Sequence, residues 1–175
     1  MSNNYQIGYK VHLTPKPSED TTVQLILDSN ELAQYGMNIH AVVTTPAILC
    51  EPPFSMEKKA ITVIAHLDTG ASITSIDERI AQYLGLISIG KSSSQTANGI
   101  VQTNNYFADI IFSSSQQMRP FQNVPISSCY LPYKMNINDI DYLSKTNIGL
   151  LIGRDIMSHW NIVWHGPTSI VFISD

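Results

Sequence analysis

Short runs of β-branched and aromatic residues constrain the fold of this chain more than any other feature of its sequence. Several of the runs alternate in polarity, as β-strands with one buried face do. Seven occur, over residues 5–13, 21–27, 37–45, 60–67, 106–112, 161–165 and 169–173. Segments rich in Pro, Ser, Gly or charge separate them and are typical of loops: 14–20, 46–59, 92–99 and 113–117. The pattern predicts an all-β domain, with 37–45 and 60–67 pairing as a hairpin.

Two stretches have helical character instead. Over residues 75–86, Ser75 and Glu78 have the spacing of a capping box, and Gly85 suits the position after a helix end. Between them the apolar residues recur at helical intervals: Ile76, Ile80 and Leu84. A second helix of one or two turns is predicted over residues 154–160.

Length and charge exclude several classes of protein. The 175 residues suit one domain, and a net charge of −4 with scattered Lys and Arg argues against a nucleic-acid partner. No window approaches the roughly 18 apolar residues of a membrane span, so no membrane partner and a cytoplasmic location are expected. Cys50 and Cys129 lack the spacing of metal ligands, and no metal site is expected.

A carboxylate stands directly after the fourth predicted strand. Asp68 is followed by Thr69, Gly70, Ala71 and Ser72. Glycine permits a close backbone approach, and small residues leave space beside the acid. The arrangement indicates a crevice for chemistry, although an Asp at a strand end can also close a local turn.

This stretch resembles the active-site loop of aspartic proteases, specifically the single-motif retroviral type called retropepsins. A second stretch, residues 148–157, is similar to the family's apolar-apolar-Gly-Arg-Asp/Asn segment, which crosses behind the active-site loop and leads into a short helix. The resemblance implies a closed β-barrel of the acid-protease fold with one or two short helices. It also implies structural support of the site by five residues: Leu151, Ile152, Gly153, Arg154 and Asp155.

Residues 93–112 resemble the family's flap, a β-hairpin that closes over the substrate. Ala97, Asn98 and Gly99 would form its tip. A mobile lid excludes water and grips a peptide backbone, and glycine gives the tip conformational freedom. An ordinary exposed hairpin is the other interpretation.

The family's chemistry needs two carboxylates, and the chain carries one such motif. Asp28 also follows an apolar run, but Asn30 occupies the glycine position after it. The resemblance therefore implies a homodimer in which Asp68 meets its symmetry mate on a two-fold axis, with Thr69 bonding across the dimer. Residues 161–175 would either interleave at that interface or form a simple hairpin on their own sheet.

The resemblance assigns catalysis to Asp68, Thr69 and Gly70. Substrate binding falls to six residues: His66, Ala71, Ser72, Ala97, Asn98 and Gly99. His66 lies on the same side of its strand as Asp68. There it would confer a preference for acidic side chains, add a titration near pH 6.5, or serve as a solvent-facing or hydrogen-bonded structural histidine.

Arg154 presents a departure from the family pattern. Viral members pair this arginine with an acid after their DTGA sequence, where this chain has Ser72. Arg154 therefore needs another partner, and Asp155 and a residue of a neighbouring chain are the candidates.

The implied function is an aspartic endopeptidase that cleaves peptide or protein substrates with an activated water and no cofactor. The alternative is a catalytically inactive module of the same fold that binds peptides or mediates dimerisation. We assign residues 37–175 to the retropepsin-like protease domain and residues 1–36 to an N-terminal extension of uncertain role.

Overall fold

The computed structural model describes residues 10–12, 22–26, 36–96, 99–112, 118–131, 147–168 and 170–174. Across these ranges it contains eleven strands: β1 Lys10–His12, β2 Thr22–Ile26, β3 Asn38–Thr44, β4 Ala60–Leu67, β5 Ser75–Asp77, β6 Gly90–Thr96, β7 Gly99–Phe112, β8 Phe121–Cys129, β9 Ile148–Ile152, β10 Asn161–His165 and β11 Ile170–Ser174. The helices in the same ranges are short: α1 Ala47–Cys50, α2 Glu78–Leu84 and α3 Arg154–Met157, with a 3-10 turn at Gly166–Thr168.

Six strands close into a barrel. They follow the order β3, β4, β9, β5, β8, β7, and β7 pairs back to β3. The β4–β9 and β5–β8 pairs are parallel, while the remaining pairs of the barrel are antiparallel. Closure leaves no barrel strand with an unpaired edge, and β6 extends from β7 as the outer arm of a hairpin.

The barrel encloses an apolar core formed by alternate residues of its strands. Ala41, Val63, Ala65, Ile110 and Leu150 are all fully buried there. Side chains that alternate inward and outward along each strand place the other residues on the opposite face. That alternation decides which residues can lie beside Asp68.

A four-stranded antiparallel sheet of order β1, β2, β11, β10 packs beside the barrel. Val171 and Ile173 of β11 join the barrel's apolar cluster. The C-terminal hairpin therefore pairs with β2 of its own chain, as the simple-hairpin interpretation required. Two strands from the first 36 residues belong to this sheet.

Each of the seven predicted strand segments contains a strand, and the hairpin of β3 and β4 is confirmed with Asn38 opposite His66. The predicted all-β class with short helices is confirmed as well. Predicted loops 14–20 and 113–117 lie outside the described residues. No helix in the described part of the chain is long and apolar enough to cross a membrane.

Three local predictions were wrong, and one of them is the loop over residues 46–59, which contains α1 at Ala47–Cys50. The first long helix begins at Glu78 and not at Ser75, because Ser75–Asp77 forms β5 and Asp77 caps the helix by accepting a hydrogen bond from the Arg79 amide at 3.0 Å. Gly85 does end the helix, with φ +68°. The loop predicted over residues 92–99 is strand β6 as far as Thr96.

Candidate active site

Asp68 leaves β4 at the point where the strand ends, and its side chain is half-buried. Its backbone amide donates to the Ile152 carbonyl at 3.0 Å, and its carbonyl accepts from the Ala71 amide at 3.1 Å. One carboxylate oxygen, Oδ1, accepts from the Gly70 amide at 2.9 Å. From the residues that the structure describes, Oδ2 receives no hydrogen bond, so this oxygen remains available for another group.

The residues after Asp68 form a tight turn. A Cβ on Gly70 would come within 3.1 Å of Asp68 Oδ1, closer than most side-chain contacts allow. Thr69 and Ser72 are exposed and Ala71 is half-buried. The three predicted catalytic residues thus lie together at one surface of the barrel.

Strand β9 and helix α3 cross behind this turn. Leu151 pairs with His66 and Ile152 with Leu67 in the parallel β4–β9 ladder. The Arg154 amide then donates to the Ala71 carbonyl at 3.0 Å. The predicted supporting segment therefore contacts the turn directly.

The Arg154 guanidinium binds the turn's backbone. Its Nη1 donates to the Thr69 carbonyl at 2.7 Å and to the Gly70 carbonyl at 3.3 Å. Asp155, one of the two partners considered from the sequence, is engaged elsewhere. Two peptide carbonyls of the Asp68 turn thus bind the guanidinium of Arg154.

Asp155 instead binds Thr74, a residue that sequence reasoning missed. Its carboxylate accepts from the Thr74 amide at 2.9 Å, from Thr74 Oγ1 at 2.8 Å and from the Ile156 amide at 2.9 Å. Thr74 Oγ1 also accepts from the Gly153 amide at 3.0 Å. No local pattern marks Thr74, because its partners lie far along the chain.

Gly153 is required by packing at the same junction. A Cβ there would lie 2.6 Å from the backbone carbon of Ile73 and 2.8 Å from the Thr74 nitrogen. Both are backbone atoms, which cannot rotate away as the end of a side chain does. The glycine therefore lets β9 pass directly against the strand that follows the Asp68 turn.

His66 is the hydrogen-bonded histidine of one interpretation above. Its Nδ1 lies 2.8 Å from Asn38 Oδ1, and a Cβ on Gly36 would come within 2.6 Å of its Cε1. Burial lowers the pKa of His66 below 6.5, and the nearby charge of Asp68 opposes that shift in part. The imidazole is thus fixed beside the acid and favoured in its neutral form.

The β6–β7 hairpin corresponds to the predicted flap. The two strands pair from Gly90 opposite Asn105 to Thr96 opposite Gly99. Gly99 has φ +109°, a conformation that few residues with a side chain adopt. Ala97 and Asn98 lie outside the described residues.

Glu78 connects β7 to α2. Its Oε1 accepts from Tyr106 OH at 2.8 Å and from Asn104 Nδ2 at 3.2 Å. Burial, followed by the hydrogen bond to Glu78, raises the pKa of Tyr106 to about 12. The sequence marked Glu78 only as a capping residue, yet its carboxylate anchors β7.

No group of three or more His, Cys, Asp or Glu in the described ranges is placed to hold a metal ion. The site contains a carboxylate with one oxygen available, in a turn that β9 and α3 support from behind. Such a group can accept or donate a proton, or bind a polar group presented to the surface.

Comparisons with known proteins agree with this geometry. The sequence model of a family described as "Aspartyl protease" matches residues 55–155. A crystal structure of a retropepsin-like aspartic protease from Rickettsia conorii is similar over 95% of this chain and 95% of that chain, with 12% identity and a TM-score of 0.50. That likeness shows a retropepsin-like fold.

The solution structure of the simian foamy virus (mac) protease is also similar, over 70% of this chain and 92% of that chain, with 16% identity and a TM-score of 0.38. No curated protein matches the chain by sequence.

Proposed function

We propose a function for this chain from one premise: it belongs to the aspartyl protease family, as the match over residues 55–155 shows. Within that family we infer that it is an aspartic endopeptidase. Asp68 is the catalytic group, and a water molecule that it activates hydrolyses a peptide bond of the substrate.

The placement of Asp68 carries this proposal. Its Oδ1 is oriented by the Gly70 amide, while the turn around it is held by Ile152 and Arg154 from behind. A reactive group whose surroundings are already in place loses little free energy to reorganisation during the reaction. This favours a catalytic carboxylate over one that only closes a local turn.

The chemistry requires a second carboxylate. One carboxylate takes a proton from water as the oxygen attacks the carbonyl carbon, while a protonated partner donates to the carbonyl oxygen. As the tetrahedral intermediate collapses and its C–N bond breaks, the carboxyl that took the proton from water gives it to the leaving amine, and its partner recovers a proton from a hydroxyl of the intermediate. Two carboxyl groups at hydrogen-bond distance suit this because they share one proton.

The second carboxylate comes from a second copy of the chain. No other acid among the described residues is hydrogen-bonded to Asp68, and Thr69 is exposed beside it. In an isologous homodimer the two Asp68 turns meet on the two-fold axis, and each Thr69 binds the opposite turn.

The substrate is a peptide in extended conformation. His66, Ala71 and Ser72 contact it from below, and the flap with its tip at Ala97, Asn98 and Gly99 covers it from above. The flap position supports this role, since β6 lies at the edge of the sheet with no further strand paired to it in the described ranges.

The test compares the native chain with Asp68→Asn, which keeps the shape of the side chain and removes its acid chemistry. Both are incubated with a diverse peptide pool at several pH values between about 4 and about 7, and cleavage is read by mass spectrometry. We expect the native chain to cleave and the variant to lose at least about a thousandfold in rate. Sedimentation should show an unchanged dimer.

Two results would contradict the proposal: no cleavage of any peptide by the native chain, or equal cleavage by both chains. A native chain that binds peptides without cleaving them, with affinity preserved in Asp68→Asn, would identify the inactive binding module instead.

A further inference from the structure

One row of residues runs straight across the barrel wall, perpendicular to the strands. Each member is paired in register with the next, through five consecutive strand pairs. From β7 to β3 the members of this lateral row are Asn105, Ser127, Ser75, Leu151, His66 and Asn38.

The lateral row lies on the face of the wall opposite the apolar core. Residues paired across neighbouring strands point to the same face, and sequence neighbours point to the other. The neighbours belong to the buried core: Tyr106, Ile126, Ile76, Leu150, Ile152, Ala65, Leu67 and Ile39. The row therefore faces away from the core along its whole length.

Asp68 lies on the same side as the lateral row. It follows His66 by two residues, which corresponds to about 7 Å along a strand. The charge of Asp68 acts on the His66 imidazole, as expected for groups that share a face. An extended peptide held at Asp68 has same-face side chains at a similar spacing, so the side chains flanking its reacting bond would lie over His66 and the row members on the next two strands, Leu151 and Ser75.

The chemistry of the lateral row is polar and uncharged. Five of its six members carry amide, hydroxyl or imidazole groups, and Leu151 is the exception. Asn105 Oδ1 accepts from Ser127 Oγ at 3.1 Å and from Ser92 Oγ of the flap arm at 3.0 Å. Asn38 and Ser127 are themselves buried, so a peptide can reach only the half-buried members of the row: Asn105, Ser75, Leu151 and His66.

Burial lowers the pKa of the one titratable member, His66, below 6.5, which favours its neutral form at about pH 7. The row therefore contains no cation to attract an acidic side chain. The Ser75 hydroxyl, which has only a 3.5 Å hydrogen bond within the described residues, would also lose its hydrogen bond to water beneath an apolar side chain without regaining it, which disfavours such a substrate.

We propose that the lateral row determines substrate preference, selecting peptides with a neutral hydrogen-bonding side chain, Asn, Gln, Ser or Thr, within two residues of the cleaved bond. The inference rests on the proposed function and adds the class of substrate to it.

Ser75→Val is the variant that tests the row. Among the described residues the Ser75 hydroxyl has one hydrogen bond, a long one to the Ile73 carbonyl at 3.5 Å, so its loss disturbs the fold little, and valine suits a strand. Thr62→Val is the matched control, because Thr62 is half-buried on β4 and lies outside the row. Ser127→Ala is a second variant that adds no bulk.

The measurement is kcat/KM for pairs of peptides that differ at one position, with Asn or Thr in one and Leu or Val in the other. For the native chain and for Thr62→Val we expect the polar peptide to be preferred by about tenfold. In Ser75→Val that preference should fall by about tenfold, and Ser127→Ala should reduce it less.

A native chain that cleaves peptides but prefers apolar side chains at every flanking position would overturn the inference and leave the proposed function intact. Equal shifts in Ser75→Val and Thr62→Val would do the same. Absence of cleavage by the native chain would instead remove the proposed function, and the inference with it.

Discussion

The Asp68 turn and the β6–β7 hairpin lie on the same wall of the barrel but are held in opposite ways. The turn is tied to a segment far along the chain, through Ile152, Arg154 and the Thr74–Asp155 contacts. The outer part of the hairpin is held by its own two strands and by short side-chain contacts such as Gln102 Nε2 to Ser93 Oγ at 2.7 Å.

In the proposed function the turn and the hairpin have different tasks, and the way each is held suits its task. A group that reacts must keep its geometry, and long-range hydrogen bonds to a packed segment achieve that. The lid that we propose must open, and a hairpin with few buried apolar groups can open without disrupting the core. Ile100, near the tip, leaves 72% of its surface exposed, so opening there costs little apolar burial.

The largest expected effect comes from adding a methyl group behind the turn. Gly153→Ala places a Cβ against the backbone of Ile73 and Thr74, and we expect the free energy of unfolding to fall by about 3 kcal/mol. Chemical denaturation measures this. The control is Gly166→Ala, whose Cβ would meet nothing closer than Trp164 Nε1 at 4.0 Å and should change stability by less than about 0.5 kcal/mol.

Thr74→Val tests the hydrogen bonds of the same junction without changing its shape. The variant leaves the Gly153 amide without its acceptor and removes one donor from Asp155. We expect a loss of about 2 kcal/mol in the free energy of unfolding. A loss no larger than that of Thr62→Val would show that these bonds do not hold the turn.

Arg154→Met should separate activity from stability. The Arg154 side chain is exposed, so we expect the free energy of unfolding to fall by less than about 1 kcal/mol. Because the Thr69 and Gly70 carbonyls lose their donor, kcat should fall by about tenfold as the turn loosens. An unchanged kcat would mean that the guanidinium does not position the turn.

Alanine substitutions at two glycines compare the stability of the core with that of the hairpin. Gly85 and Gly99 both have positive φ, and a Cβ on either would meet no atom within 4 Å. Either change to alanine therefore costs about 1 kcal/mol through the backbone alone. Gly85→Ala should lower global stability, whereas Gly99→Ala should raise KM and leave the denaturation curve nearly unchanged. Equal curves for the two variants would contradict a separately opening flap.

The smallest effect concerns pH. Since burial lowers the pKa of His66 below 6.5, the folded chain resists a proton that the unfolded chain binds. The free energy of unfolding should therefore fall as the pH drops through the range just below 6.5. His66→Gln should make that fall shallower, while His40, shifted in the same direction by burial, retains part of it. An identical slope in both chains would contradict the assignment.

Strands with apolar alternation were predictable because that signal is local. β8 was missed because Pro125 interrupts it. The proline pairs with Phe107 of β7 but lies beyond the part of β8 that pairs with β5, so no ladder bond to β5 is lost. β6 was missed because its largely exposed position needs no apolar residues. Ser75 was assigned to a helix since its spacing to Glu78 imitates a capping box.

Within the candidate site, Asp68 and the segment around Gly153 followed from short motifs. The partners of Arg154 and Asp155 did not, because both depend on where the barrel places residues that are distant in sequence. The lateral row could not be predicted from the sequence either, because its members come from six strands and become neighbours only through the register in which those strands pair.

The most direct test of the central claim is the activity of mixed dimers. Native chain and Asp68→Asn are combined in equal amounts, allowed to exchange subunits, and assayed at constant total protein. If each active site needs Asp68 from both copies, only the native pairs work, and activity falls to about one quarter of that of the native chain. If each chain acts alone, activity falls only to about one half, and the shared site is contradicted.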